Sequence, residues 1–226
     1  MMRFVEYADA DMMFLDLANV IAGELENHLL SDESATLVVP GGTTPGPIFD
    51  SLSATSHIDW ARVNVMLSDE RWVPLDSPRS NTALVRDRLL QGPAAAANYI
   101  PLYGDAETPF DGATQLAPNV QAALPITVLL LGMGADMHTA SLFPGSPELA
   151  AGLDPKAGPL IGVHVPDQPE DRITLTAPAL QSAIGIHIVI KGADKRDAVE
   201  RAAHLDPTQA PIAAVLSQAT VHWAES

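Results

Sequence analysis

The chain has 226 residues, 47% of them hydrophobic and 18% charged, which is enough to bury a core without covalent staples. It holds no cysteine, so disulfides, thiolate zinc sites, iron–sulfur clusters and a cysteine nucleophile are excluded. Twelve Lys and Arg against 28 Asp and Glu give a formal charge of −16; this argues against nucleic acid or an anionic membrane as partner, but a small anionic ligand needs only a few local cations.

The N-terminus, Met1–Tyr7, is too acidic and too short in apolar run for a signal peptide. No segment approaches 18 uninterrupted apolar residues, so a membrane span is not expected and a soluble cytoplasmic protein is. Phe4–Tyr7 reads as an opening strand. From Asp9 to Leu30, Phe14, Leu17, Ile21, Leu25 and Leu29 recur on one helical face, with Asp9 or Asp11 as the cap. Candidate strands follow at Thr36–Val39, Val63–Leu67, Ile126–Leu131, Leu160–Val165, Ile173–Thr176, Ile184–Ile190 and Thr220–Trp223. Helical candidates lie between them at Thr44–Leu52, Asn81–Leu90, Gly112–Ala123, Ala193–His204 and Pro211–Gln218. The runs Leu37–Val39 and Val128–Leu131 do not alternate with polar residues, which suits strands covered on both faces. The alternation predicts an α/β fold, a mainly parallel sheet with helices on both faces. Gly92–Asn98 and Gly152–Gly158 read as surface loops. One domain over residues 1–226 is expected, with room for a small subdomain built from one insertion.

Ligands of open parallel sheets bind beyond the carboxyl ends of the strands, and polar residues gather there. After Leu37–Val39 comes Pro40-Gly41-Gly42-Thr43-Thr44-Pro45-Gly46, a turn whose glycines let backbone approach a ligand and whose helix start favours an anion. It is not a nucleotide P-loop, which needs a different glycine and lysine spacing; a plain capped turn accounts for it equally well. After Val65–Leu67 comes Ser68-Asp69-Glu70-Arg71-Trp72-Val73. There Arg71 suits an anion, while Asp69 and Glu70 are either acid/base groups or its ion-pair partners. Ser80-Asn81 reads as a helix cap. After Leu131 comes Gly132-Met133-Gly134-Ala135-Asp136-Met137-His138, expected to open a helix. Its glycines resemble a dinucleotide fingerprint, but Met137 stands at the third glycine and no acidic residue follows at the right strand end, so no nicotinamide or flavin is expected. Histidine is the side chain whose unperturbed pKa lies nearest neutrality, so His138 suits a general base, and Asp136 is spaced to orient its ring. Arg172 lies at a strand edge, and Lys191, Lys195 and Arg196 form the densest basic group. Lys195 opposes the dipole of the helix it starts, which a bound anion would explain. The other histidines, 28, 57, 164, 187, 204 and 222, read as structural. No His-x-x-x-His or carboxylate loop has metal-ligand spacing, so no metal is expected, and no Gly-x-Ser-x-Gly elbow is present.

Taken together, Gly41-Gly42-Thr43-Thr44-Pro45, Ser68-Asp69-Glu70-Arg71-Trp72-Val73 with Ser80-Asn81, Gly132 to Gly145, Arg172-Ile173-Thr174-Leu175-Thr176 and Gly192-Ala193-Asp194-Lys195 resemble the 6-phosphogluconolactonase family. The resemblance runs from about residue 35 to 200. It implies a modified Rossmann-like fold shared with glucosamine-6-phosphate deaminase. It also implies cofactor- and metal-free cytoplasmic hydrolysis of 6-phospho-D-glucono-1,5-lactone in the pentose phosphate pathway, by a monomer or homodimer. His138 would then be the base, Asp136 its orienting partner, and backbone amides of the Gly132–Gly134 turn the oxyanion donors. Gly41, Gly42, Thr43, Thr44, Asp69, Arg71, Arg172 and Lys195 would bind the substrate. The alternatives are an amino-sugar-phosphate isomerase or deaminase, with Asp69 as its base, and a non-catalytic sugar-phosphate binder. The chain departs from the family at Met137, where glycine is usual; if that backbone needs positive φ, methionine is strained there.

Overall fold

The computed structural model describes residues 2–165 and 168–226. Among them the strands are β1 (Arg3–Glu6), β2 (Ala35–Val39), β3 (Val63–Leu67), β4 (Asp69–Arg71), β5 (Asn98–Ile100), β6 (Val128–Leu131), β7 (Leu160–Val163), β8 (Arg172–Leu175), β9 (Gly185–Lys191) and β10 (Thr220–Ala224). The α-helices are α1 (Ala10–Leu29), α2 (Gly46–Ser53), α3 (Asn81–Arg88), α4 (Pro109–Ala122), α5 (Leu149–Leu153), α6 (Ala177–Gln181), α7 (Ala193–Ala202) and α8 (Ala213–Leu216).

Seven strands form one parallel sheet in the order β1-β10-β9-β6-β2-β3-β5. From β2 the chain steps outward through β3 to β5, returns to the other side of β2 at β6, and steps outward again through β9 to β10. Strands β2 and β6 are therefore neighbours whose chains leave in opposite directions. A crevice opens beyond the carboxyl ends of such a pair. Every residue of β2 and β6 is buried, as the unbroken apolar runs require of strands covered on both faces. Helix α1 begins where the Asp9 carboxylate accepts a hydrogen bond from the Met12 N–H at 2.8 Å. Met13, Leu17, Ile21 and Leu25 on its inner face are wholly buried, each stabilising the fold by about 2 kcal/mol relative to exposure.

A second, antiparallel sheet has the order β4-β8-β7, with Asp69 opposite Thr174 and Arg71 opposite Arg172. It grows directly from the first. Ser68 alone separates β3 from β4; its N–H donates to the Val39 carbonyl and its own carbonyl accepts from the Leu175 N–H, both at 2.9 Å. The polar residues after β3 are thus carried over the crevice mouth.

Several expectations need correction. The small sheet draws on two distant segments, so it is not one inserted subdomain. The polar run Asp69–Arg71 is itself a strand, because Asp69 and Glu70 find hydrogen-bond partners within the fold. Gly92–Asn98 is not a loop: Gly92–Ala96 is a 3₁₀ turn that buries Ala94, and Asn98 begins edge strand β5. Gly152 and Leu153 belong to α5 rather than to a loop. The first residues expected in α2, Thr44 and Pro45, lie in its entry turn. No helix opens at His138; the chain reverses there through a Thr139–Leu142 bridge, and the next helix is α5.

Candidate active site

A cleft of about 350 Å³ lies beyond the carboxyl ends of β2, β3, β6 and β9. Gly41, Gly42, Thr44, Asp69, Arg71, His138, Arg172 and Lys195 line it, from sequence segments more than 100 residues apart. Two of the expected residues do not. Thr43 is exposed on the outside of the Gly42 turn, and Asp136 stands behind the His138 ring. Gly42 takes φ 85, a conformation open to glycine at little cost.

The loop from Gly132 to Leu142 is pinned at several points. The Gly134 N–H donates to the His138 carbonyl at 2.9 Å, and the Met137 N–H donates to the Gly134 carbonyl at 3.0 Å. The Thr139 hydroxyl donates to the Gly132 carbonyl at 3.0 Å. Met137 has φ 66 and Ala140 φ 48, so the family's glycine position does require the left-handed region, and methionine occupies it. The amide of Gly134 is committed to the His138 carbonyl, which removes it from the expected oxyanion donors.

His138 Nδ1 lies 2.5 Å from Asp136 Oδ1, and the same oxygen accepts from the His138 backbone N–H at 3.2 Å. Burial acts to raise the Asp136 carboxyl, but the His138 ring and backbone N–H outweigh it and hold the group below the ordinary carboxylate range. An ionised Asp136 fixes the proton of His138 on Nδ1, leaving the Nε2 lone pair free to accept a proton. Gly134 makes this pairing possible: a Cβ there would lie 2.1 Å from His138 Nδ1 and 2.3 Å from Asp136 Oδ1.

The cations share the cleft with His138. Arg71 and Arg172 are register partners on β4 and β8, and neither Nε has a partner among the described residues. Burial lowers the affinity of Arg172 for its proton; Asp69 opposes that and Arg71 adds to it. Lys195 Nζ donates to the Met133 carbonyl at 2.5 Å; burial shifts its pKa down against the pull of Asp136. Four of the chain's twelve basic residues, Lys191 with Arg71, Arg172 and Lys195, thus line one cleft in a protein of charge −16. That concentration is what an anionic ligand would offset. Of the basic group only Arg196 turns elsewhere: it stacks over Phe4 and Trp223 and pairs with Glu6 and Glu200.

The two carboxylates after β3 have separate tasks. Asp69 accepts from the Ser68 hydroxyl at 3.0 Å and the Ser141 hydroxyl at 2.6 Å, with Arg172 at 3.8 Å. Glu70, wholly buried, accepts from the N–H groups of Arg71, Asn81 and Thr82, each at 2.8 Å, and from the Thr82 and Ser80 hydroxyls. It anchors the start of α3. Asn81, read only as a cap, belongs to the cleft: its side chain lies where a Cβ on Gly41 would sit and donates to the Asp69 carbonyl at 3.1 Å. Ser80 is the true cap. Ser141, which sequence reasoning passed over, ties the histidine loop to β4 and, through its N–H, to Thr174 of β8 at 3.1 Å. Among the described residues no group of His, Cys, Asp and Glu is placed to hold a metal ion.

A family model described as glucosamine-6-phosphate isomerases/6-phosphogluconolactonase matches residues 8–223. The chain is 40% identical to a 6-phosphogluconolactonase of Pseudomonas putida over 96% of its own length and 91% of the relative's. It is 41% identical to one from Mesorhizobium japonicum, over 96% and 93%. A crystal structure of a 6-phosphogluconolactonase from Shewanella baltica superposes with a TM-score of 0.94 at 34% identity, covering 99% of this chain and 98% of that one. A monomeric glucosamine-6-phosphate deaminase, 18% identical with a TM-score of 0.79, shares the fold.

Proposed function

The chain belongs to the glucosamine-6-phosphate isomerase/6-phosphogluconolactonase family, and on that premise we infer that it hydrolyses 6-phospho-D-glucono-1,5-lactone to 6-phosphogluconate, with His138 as general base. The observation that carries the reading is a histidine held by Asp136 and lining one cleft together with Arg71, Arg172 and Lys195. His138 Nε2 takes a proton from water as its oxygen attacks the lactone carbonyl carbon. Collapse of the tetrahedral intermediate breaks the bond to the ring oxygen, which leaves as a hydroxyl after receiving that proton from His138. Asp136 keeps the tautomer and stabilises the imidazolium formed in between. Arg172, Lys195 and the Gly41–Gly42 turn receive the phosphate, with Arg71 on phosphate or sugar hydroxyls. The deaminase reading asks Asp69 to move a proton, yet both its oxygens already accept from serine hydroxyls.

The test is lactone hydrolysis on freshly generated substrate at mildly acidic pH, with and without chelator. His138→Ala should fold normally, bind 6-phosphogluconate and lose ~10²- to ~10⁴-fold in kcat. Near-normal turnover in that variant rejects His138 as base. Saturable binding without turnover in the unmodified protein leaves a non-catalytic binder. Ammonia release from glucosamine 6-phosphate points to the deaminase.

A further inference from the structure

One aromatic ring touches both halves of the site. The Phe143 ring centroid lies 4.3 Å from that of His138, with 32° between the planes. The Arg172 guanidinium carbon lies 5.7 Å from the same Phe143 centroid. Phe143 does not line the cleft, so it supports the site without contacting a ligand there.

The chain takes trouble to place it. After His138 the backbone reverses through Ala140 at φ 48 and the Thr139–Leu142 bridge, with the Leu142 N–H donating to the Thr139 carbonyl at 3.0 Å. Ser141 inside the reversal is clamped to Asp69 and Thr174. The Phe143 carbonyl then accepts from the Ser146 N–H at 3.1 Å. This path folds Phe143 back onto the histidine five residues earlier. The contact matters because a hydrogen bond at Nδ1 fixes one atom of the imidazole and leaves the ring able to pivot about it. An aromatic face alongside limits that pivot, and it also favours a cation, as the imidazolium becomes and Arg172 already is.

We propose that Phe143 is a positioning residue of this site: its ring sets the plane of the His138 imidazole and holds the Arg172 guanidinium, so that base and anion-binding cation are oriented by one side chain. The proposal rests on His138 being the base and Arg172 a substrate contact.

The variant Phe143→Leu keeps apolar bulk and removes the aromatic face; Phe143→Tyr keeps the face. In the leucine variant kcat should fall ~10- to ~100-fold, as small misplacements of reacting groups do, and KM should rise several-fold. Phe143→Tyr should restore both. In a His138→Ala background Phe143→Leu should leave the residual kcat unchanged, while the KM rise persists. A purely structural role predicts instead a lower melting temperature, a kcat reduced with the folded fraction, and an unchanged KM. Wild-type kcat and KM in Phe143→Leu, or a kcat loss that multiplies with that of His138→Ala, overturns the proposal. Failure of the unmodified protein to turn over lactone rejects the functional reading itself. Two non-kinetic measurements judge the positioning separately: the ring-current shift of the His138 carbon-bound protons, and inorganic phosphate titration. Loss of the shift and weaker phosphate binding in Phe143→Leu, with both retained in Phe143→Tyr, support it; an unmoved histidine signal overturns it.

Discussion

Gly134 carries no side chain, and the site needs that. The loop bends so tightly that His138 and Asp136 occupy the volume a Cβ would take, and both contacts fall well inside van der Waals distance. Gly134→Ala should therefore leave the sheet intact, since the residue is beyond the end of β6, but push the dyad apart. The expected loss is ~10²-fold or more in lactone turnover, with little change in melting temperature; a variant with full activity would mean that the ring can sit elsewhere. The sequence already marked this turn by its glycines, and the demand for positive φ at Met137 was legible from the family pattern. What it could not reveal was the compensation. Met137 is partly buried against the core, and its carbonyl accepts from the Ile212 N–H at 3.1 Å, so packing and a hydrogen bond from a segment some 75 residues away offset a backbone cost of ~1–2 kcal/mol.

At the scale of elements, the strands with unbroken apolar runs were readable, as were the polar helices α3 and α7, whereas the polar strand β4 and the short helices α5 and α6 were not. Strand β4 reads Asp-Glu-Arg; nothing in its composition marks a strand until Thr174 and Arg172 are seen opposite it. The five-residue helices α5 and α6 are too short for a period to show. Glu70 illustrates why a charged residue can stand in such a place. Its two carboxylate oxygens gather three backbone N–H groups and two hydroxyls, joining β4 to the first turn of α3. Negative charge at a helix start is favourable, and here it is buried. In Glu70→Gln one acceptor oxygen becomes a donor aimed at donors, leaving buried N–H groups unmatched. We expect a loss of about 3 kcal/mol in urea unfolding, and a raised KM because Asn81 leaves the cleft with the start of α3. An unchanged urea midpoint would show that the carboxylate charge is not required.

Across the whole molecule the parallel sheet and its reversal at β2 and β6 place the cleft, and the spacing of apolar runs along the chain foretold the sheet though not the order of its strands. Two of the histidines read as structural, His187 and His222, form a connected system away from the cleft. Tyr7 donates to Asp16 at 2.8 Å and lies 2.9 Å from His222 Nδ1; His222 Nε2 is 3.0 Å from His187 Nδ1, and His187 Nε2 is 3.0 Å from Glu24. Since the tyrosine proton goes to Asp16, its oxygen accepts from His222 Nδ1–H. The lone pair on His222 Nε2 then accepts from His187 Nδ1–H. A second proton on His222 would set donor against donor. Burial, reinforced by the charge of His187, lowers the His222 pKa from 6.5 to about 4. The unfolded chain therefore binds the extra proton first as pH falls, and stability contributed by neutral His222 is lost between about pH 6.5 and 4. Carboxyls held below their ordinary range, such as Asp50, Asp136 and Glu170, lose their contribution at lower pH, from about 4.5 downward. The interval from pH 6.5 to 4.5 thus separates the His222 contribution from that of those carboxyls. Unfolding free energy from urea titration should drop by about 2–3 kcal/mol across it. In His222→Gln, which keeps polar atoms but cannot titrate, the protein should be less stable at pH 7 yet flatter over the same interval. An equal slope in that variant would assign the acid sensitivity to another group.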